Sequence, residues 1–126
     1  MDKLRHKRIL VVDDEESIRE SLAMGLEEFG WKASHASSAA EALDFDTPFD
    51  CYILDLSLPD QDGFILAGKI RDRFKQAPVV IFSGYLNDSI KQEAKANGID
   101  AVMKKPFRFE EVNKVLASVI KNYREH

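Results

Sequence analysis

The chain is poor in the residues that build covalent or metal-thiolate frameworks. Its single cysteine, Cys51, cannot form an intramolecular disulfide and has no metal-ligand spacing around it, so it reads as a buried small apolar residue. The three histidines, His6, His35 and His126, are scattered and read as solvated surface positions rather than a ligand cluster. Long basic runs are absent too. With a net charge of -4 and a pI near 5.4, direct nucleic-acid binding is not expected, because phosphate recognition needs a concentrated cationic surface. Apolar runs are equally short. The basic opening MDKLRHKR is followed only by ILVV, far less than a signal peptide or a membrane span requires, so the expected location is the cytoplasm, without membrane contact. No repeat, low-complexity tract or Pro/Gly/Ser-rich linker interrupts the 126 residues. Their 44% hydrophobic and 32% charged content suits one domain spanning 1–126, with its core at about residues 7–123 and no output domain.

What is present is a regular alternation. Strand candidates at Arg8 to Val12, Trp31 to Ala36, Cys51 to Leu54, Val79 to Phe82 and Ala101 to Met103 are separated by segments of helical period. The first helix sets Ile18, Leu22, Leu26 and Phe29 on one stripe, with Gly30 where a C-terminal cap belongs. A second, from about Ser38 to Asp44, is short. The third, after Gly63, aligns Leu66, Ala67, Ile70 and Phe74; the last, from about Glu110 to Tyr123, aligns Val112, Val115, Leu116, Val119 and Ile120. The fourth, about Asn87 to Asn97, offers only Ile90, Ala94 and Ala96 to a core and is expected to be loosely packed. Strict alternation implies an α/β fold of parallel strands with right-handed crossovers and helices on both faces. For five strands the common doubly wound, flavodoxin-like order is 2-1-3-4-5, with a ligand crevice where the first and third strands lie side by side.

The carboxyl ends of those two strands carry Asp13 and Asp14, in VVDDE, and Asp55, in CYILDLSLPD. Like charges brought together destabilise the chain unless a cation is bound, so Asp13→Ala is expected to stabilise the metal-free protein. The competing explanation for the acidic pair is a cap, with Asp14 or Glu15 at the positive end of the first helix. Asp55 on the neighbouring strand favours a hard-cation site, and all-oxygen ligands suit Mg²⁺. Ser83, in VVIFSGY, adds a hydroxyl after the fourth strand, Gly84 permits close backbone approach, and Lys105, in VMKKPF, adds an ammonium after the fifth. Each alone reads as turn or surface. Together they are the parts of phosphoryl transfer, which depends on positioning and charge neutralisation.

The motifs VVDDE, DLSLPDQDG, FSG and KKPF, in this order and spacing, resemble the receiver domain of two-component response regulators, of the kind that includes stand-alone chemotaxis regulators. The resemblance covers roughly Lys7 to Tyr123. It implies that Asp55 accepts a phosphoryl group from a sensor histidine kinase or a histidine phosphotransfer domain. It further implies that Mg²⁺ is held by Asp14, Asp55 and the Ser57 carbonyl, with Asp13 acting through water. By the same resemblance, Ser83, Lys105 and the backbone of Leu56 and Gly84 contact the phosphoryl oxygens, and the Lys105-Pro106 peptide is cis. Lys105 rather than Lys104 is the motif lysine, because the proline follows it directly. The family's chemistry is self-catalysed phosphoryl transfer and autodephosphorylation, not enzymatic turnover of a substrate. Its switch positions fall on Ser83, Tyr85 and Val102, and Val102 replaces an aromatic found in many receivers. The face formed by the fourth helix, fifth strand and fifth helix is the implied dimer surface. An aspartate-nucleophile phosphatase would carry a second aspartate where Ser57 stands, and a flavin-binding loop is opposed by the negative charge of DDEE.

Overall fold

A computed structural model describes residues 7–124. Five strands alternate with five helices: β1 (Arg8–Val12), α1 (Glu16–Glu28), β2 (Lys32–Ala36), α2 (Ala39–Leu43), β3 (Cys51–Asp55), α3 (Gly63–Arg73), β4 (Val79–Ser83), α4 (Asp88–Ala96), β5 (Ala101–Lys104) and α5 (Phe109–Arg124). All neighbouring strands are parallel and the order is β2-β1-β3-β4-β5, as the alternation predicts. β3 and β4 each run one residue further than their apolar stretches, so that Asp55 and Ser83 still belong to the sheet.

Period-two alternation along the strands builds two cores, one on each face of the sheet. Leu10, Val12, Tyr52, Leu54, Val79 and Ile81 pack with Ala39 and Ala42 of α2, Leu66, Ala67 and Ile70 of α3, and Ala94 of α4. Ile9, Val11, Cys51, Ile53, Val80 and Phe82 face the other way, onto Leu22 and Leu26 of α1 and Val112, Leu116, Val119 and Ile120 of α5. Cys51 is fully buried there, and its thiol is pushed up, chiefly by burial, so it is held as an inert apolar filler. His35 is exposed, whereas His6 and His126 lie outside the described residues.

Two stripe assignments change. Phe29 is the C-cap of α1 rather than part of its buried stripe and is 42% exposed, while Gly30 follows at φ 94, where a side chain would be strained. Ala96, expected to face the core, is exposed at the last position of α4. Only Ala94 of that helix is buried, with Ile90 partly buried against the same core. The two ends of α4 are held by polar contacts. Asn87 caps the first turn through Ile90 N at 2.8 Å, and Arg71 Nη1 from α3 reaches the Asn97 and Gly98 carbonyls at 3.3 and 2.6 Å.

Candidate functional site

Strand register brings the carboxylates together. Val12 pairs with Leu54, so Asp13 and Asp55, the next residue in each strand direction, emerge side by side from the carboxyl edge of the sheet. On the other side of β3, Asp55 pairs with Phe82 and Ser83 pairs with Lys104, which places Ser83 and Lys105 at the same edge. Asp13 is 1% exposed, Asp55 6% and Ser83 5%, the described polar residues buried most completely. Carboxylate oxygens of Asp13, Asp14 and Asp55 lie within 4.8 Å of one another. That oxygen-only donor set fits a hard divalent cation.

A cation from the chain itself also enters the cluster. Lys105 Nζ is 2.6 Å from Asp13 Oδ2 and 3.5 Å from Asp55 Oδ2. Burial works against the ammonium, but the hydrogen bond and charge of Asp13, and then Asp55, outweigh it and hold the Lys105 pKa above its ordinary value. Asp55 moves in the same direction. Burial pushes its carboxyl up and the Asp13 charge adds to this, against the opposing pull of Lys105 and of the Ser57 N–H. Asp13→Ala would remove a buried ion pair as well as the repulsion on which its expected stabilising effect rests.

Capping does not explain the acidic pair. Glu15 is the N-cap of α1, yet its side chain makes no capping hydrogen bond. Asp13 Oδ1 instead accepts from Glu15 N at 2.9 Å, and Arg19 Nη1 donates to the Asp13 carbonyl at 2.8 Å. Asp14 is the exposed member of the cluster.

The loop from β3 into α3 is folded back tightly. Gly63 N donates to the Leu56 carbonyl at 2.8 Å, and Asp62 caps α3 through Ile65 N at 2.8 Å. A Cβ on Gly63 would stand 2.7 Å from the Asp55 carbonyl oxygen, so only glycine allows this approach. Two backbone amides follow Asp55 at the end of β3. Leu56 N is already bonded to the Phe82 carbonyl at 2.8 Å, extending the β3–β4 ladder, and Ser57 N is the amide that reaches Asp55 Oδ1, at 3.3 Å. Gly84 is exposed and a Cβ there would meet nothing within 4 Å, so packing does not require the glycine.

Ser83 is tied to its own loop. Its hydroxyl donates to the Tyr85 carbonyl at 2.5 Å and accepts from Tyr85 N at 3.1 Å, while the Tyr85 ring is 70% exposed. Lys105 N donates to the Ser83 carbonyl at 2.8 Å, and the Lys105-Pro106 peptide is cis. Lys104 is exposed, and Val102 is half-buried against the α2–α3–α4 core.

The profile of the response regulator receiver domain matches residues 9–117, which include all of these groups. The chain belongs to that family. The receiver is 37% identical over 106 residues to the transcriptional regulatory protein SrrA of Staphylococcus aureus, an alignment covering 82% of this chain and 44% of that protein. It thus spans less than half the length of that relative. Among solved structures, a CheY-like receiver domain protein from Methanospirillum hungatei matches with a TM-score of 0.89 at 25% identity, covering 95% of this chain and 98% of the other. The receiver domain of Leptospira biflexa HemR, in its non-phosphorylated form, matches with a TM-score of 0.83 at 32% identity, covering 90% and 94%. Within this receiver, two contacts lay beyond the reach of motif spacing: the Arg19 bond to the Asp13 carbonyl and the closer pairing of Lys105 with Asp13 than with Asp55. The first depends on how far the Arg19 side chain reaches back along its own turn, the second on side-chain reach between segments 92 residues apart.

No described helix is long and apolar enough to cross a membrane.

Proposed function

We propose that Asp55 accepts a phosphoryl group from the phosphohistidine of a sensor histidine kinase or a histidine phosphotransfer domain, and that the phosphorylated chain acts as a conformational switch in two-component signalling. One observation carries the reading. Buried Asp55, buried Ser83 and the Lys105 ammonium converge at the carboxyl ends of three adjacent strands, beside the acidic cluster. In the transfer, an Asp55 carboxylate oxygen forms the new P–O bond as the P–N bond breaks; the imidazole nitrogen keeps the electron pair.

Asp14, Asp55 and the Ser57 carbonyl would hold Mg²⁺ directly, and Asp13 would hold it through water. Bound there, the ion neutralises charge on the phosphoryl oxygens. The chain's own groups supply the rest. Lys105 is poised 3.5 Å from Asp55 to pair with a new phosphoryl oxygen, and Ser57 N already faces the acceptor carboxylate. The Ser83 hydroxyl can donate to the phosphoryl group only by giving up the Tyr85 carbonyl, which converts a charge at Asp55 into a change in the loop before α4.

On this reading the chain is not an enzyme acting on external substrates. Its chemistry is its own phosphorylation and the later hydrolysis of the acyl phosphate by water. It works in the cytoplasm, where its phosphodonor is found, and passes its signal to a protein partner without binding nucleic acid itself. The face formed by α4, β5 and α5 serves dimerisation.

Incubation with acetyl phosphate and Mg²⁺, followed by intact mass and peptide mapping, tests the proposal. One hydroxylamine-labile phosphoryl group on Asp55 is expected, and none on Asp55→Ala. Modification elsewhere, or equal labelling of the variant, refutes it.

A further inference from the structure

We infer that Asp60 is a positioning residue for the cation site, setting the distance between its two halves. The inference rests on the reading of the acidic cluster as a Mg²⁺ site. Asp60 lies in the β3–α3 loop, three residues beyond Ser57, yet its carboxylate bonds to a different element. Oδ1 accepts from Ala39 N at 3.0 Å and Oδ2 from Ala40 N at 2.9 Å, the first two backbone donors of α2. The third, Glu41 N, is taken by Ser38 Oγ at 3.1 Å. Two charge-assisted bonds from one carboxylate fix both the place and the orientation of the loop tip.

The same junction holds the other half of the site. Asp13 N donates to the Ala36 carbonyl at 3.1 Å, so β1 is bonded to the end of β2 just before α2 begins. The segment from Ala36 to Ala40 therefore supports Asp13 on one side and, through Asp60, the loop bearing Ser57 on the other. Inside that loop, Ser57 is held by the contact of its N–H with Asp55 Oδ1, by the antiparallel bridge to Asp62 and by the bonds of neighbouring Leu56, all at the base of the loop rather than at its tip. Mg²⁺ demands near-ideal octahedral geometry, so a ligand carbonyl free to drift costs affinity. Asp60 prevents that drift from outside the ligand set.

The test separates positioning from support of α2. Ser38→Ala removes a cap from the same helix turn without touching the loop, whereas Asp60→Ala removes the tie itself. Mg²⁺ titrations of the wild-type chain and of both variants, followed by amide spectra, are set beside thermal melts. Asp60→Ala is expected to weaken Mg²⁺ binding by about tenfold, the usual scale for groups that orient metal ligands. Ser38→Ala should lower the melting temperature comparably while shifting Mg²⁺ affinity less than about twofold. Asp60→Asn, which keeps an acceptor oxygen but loses the charge, should fall between wild type and Asp60→Ala. Unchanged affinity in Asp60→Ala, or equal weakening in Ser38→Ala or in Asp60→Asn, overturns the inference. A wild-type chain that binds no Mg²⁺ at the cluster overturns the cation site along with it.

Discussion

Lys105 Nζ lies 2.6 Å from Asp13 Oδ2 but 3.5 Å from Asp55 Oδ2, so the ammonium is bonded to the neighbour of the proposed acceptor more closely than to the acceptor. Asp13 is thereby neutralised, and Asp55 keeps more of its charge uncompensated. A lysine shared in this way can shift toward Asp55 when a phosphoryl group adds negative charge there.

Lys105→Met should lower metal-free stability by roughly 1–3 kcal/mol, because two buried carboxylates lose the ammonium that pairs with both. Mg²⁺ should then stabilise the variant more than it stabilises wild type. Lys104→Met, at an exposed position, should stay within about 0.5 kcal/mol of wild type. Thermal melts with and without Mg²⁺ measure all three, and equal melting of the two variants contradicts the pairing.

Asp55→Asn should stabilise the metal-free chain at neutral pH and not at acid pH. The folded Asp55 carboxyl is raised above its ordinary value of 3.8 by burial and by Asp13, so its contribution is fully present below 3.8 and is lost as pH rises through the folded value. Asparagine cannot ionise and keeps that contribution. Asp60 and Glu41 are shifted down by their hydrogen bonds, and their contributions fade as pH falls, but identically in both proteins. Denaturant melts should show no difference near about pH 3.5 and an advantage for Asp55→Asn on the order of 1 kcal/mol near about pH 8. A difference that does not change with pH rules this out.

Ser83→Ala should loosen Gly84 to Asn87 even without phosphate, because it removes both hydroxyl bonds to Tyr85. Adding beryllofluoride as a phosphoryl mimic should change hydrogen exchange from Gly84 to Asn97 strongly in wild type and little in Ser83→Ala. Val102→Ala trims a half-buried side chain that pairs with Ile81 and has no bond to that hydroxyl, and should keep the response. If Val102→Ala abolishes it, the coupling runs through β5 instead.

Gly63→Ala should destabilise by about 1–3 kcal/mol and slow phosphorylation by acetyl phosphate, since its Cβ would meet the Asp55 carbonyl oxygen at 2.7 Å and the Leu56 Cα at 3.1 Å, atoms of backbone that cannot swing away. Gly25→Ala is the contrast. Its Cβ would overlap the Phe109 ring, which is 37% exposed and able to rotate outward, so its cost should be smaller and phosphorylation unaffected. Equal phosphorylation rates in the two variants would show that the approach of Gly63 to Asp55 has no bearing on the site.

Much of this receiver follows from local pattern. Alternating strand and helix periods determine the parallel sheet and its order, because short crossovers of one hand leave few other arrangements. The positions of Asp13, Asp14, Asp55, Ser83 and Lys105 just at or beyond apolar strands place them at one edge, since parallel strands all end on the same side. What the tertiary structure decided concerns reach and competition. Whether Lys105 pairs with Asp13 or Asp55 depends on ångström-scale differences between segments 92 residues apart. Leu56 N is consumed by the ladder to Phe82, leaving Ser57 N for Asp55, and Asp60 crosses to the first amides of α2. A sequence lists donors and acceptors, but each can bond only to the partners that packing brings within about 3 Å. That selection is made by the folded chain.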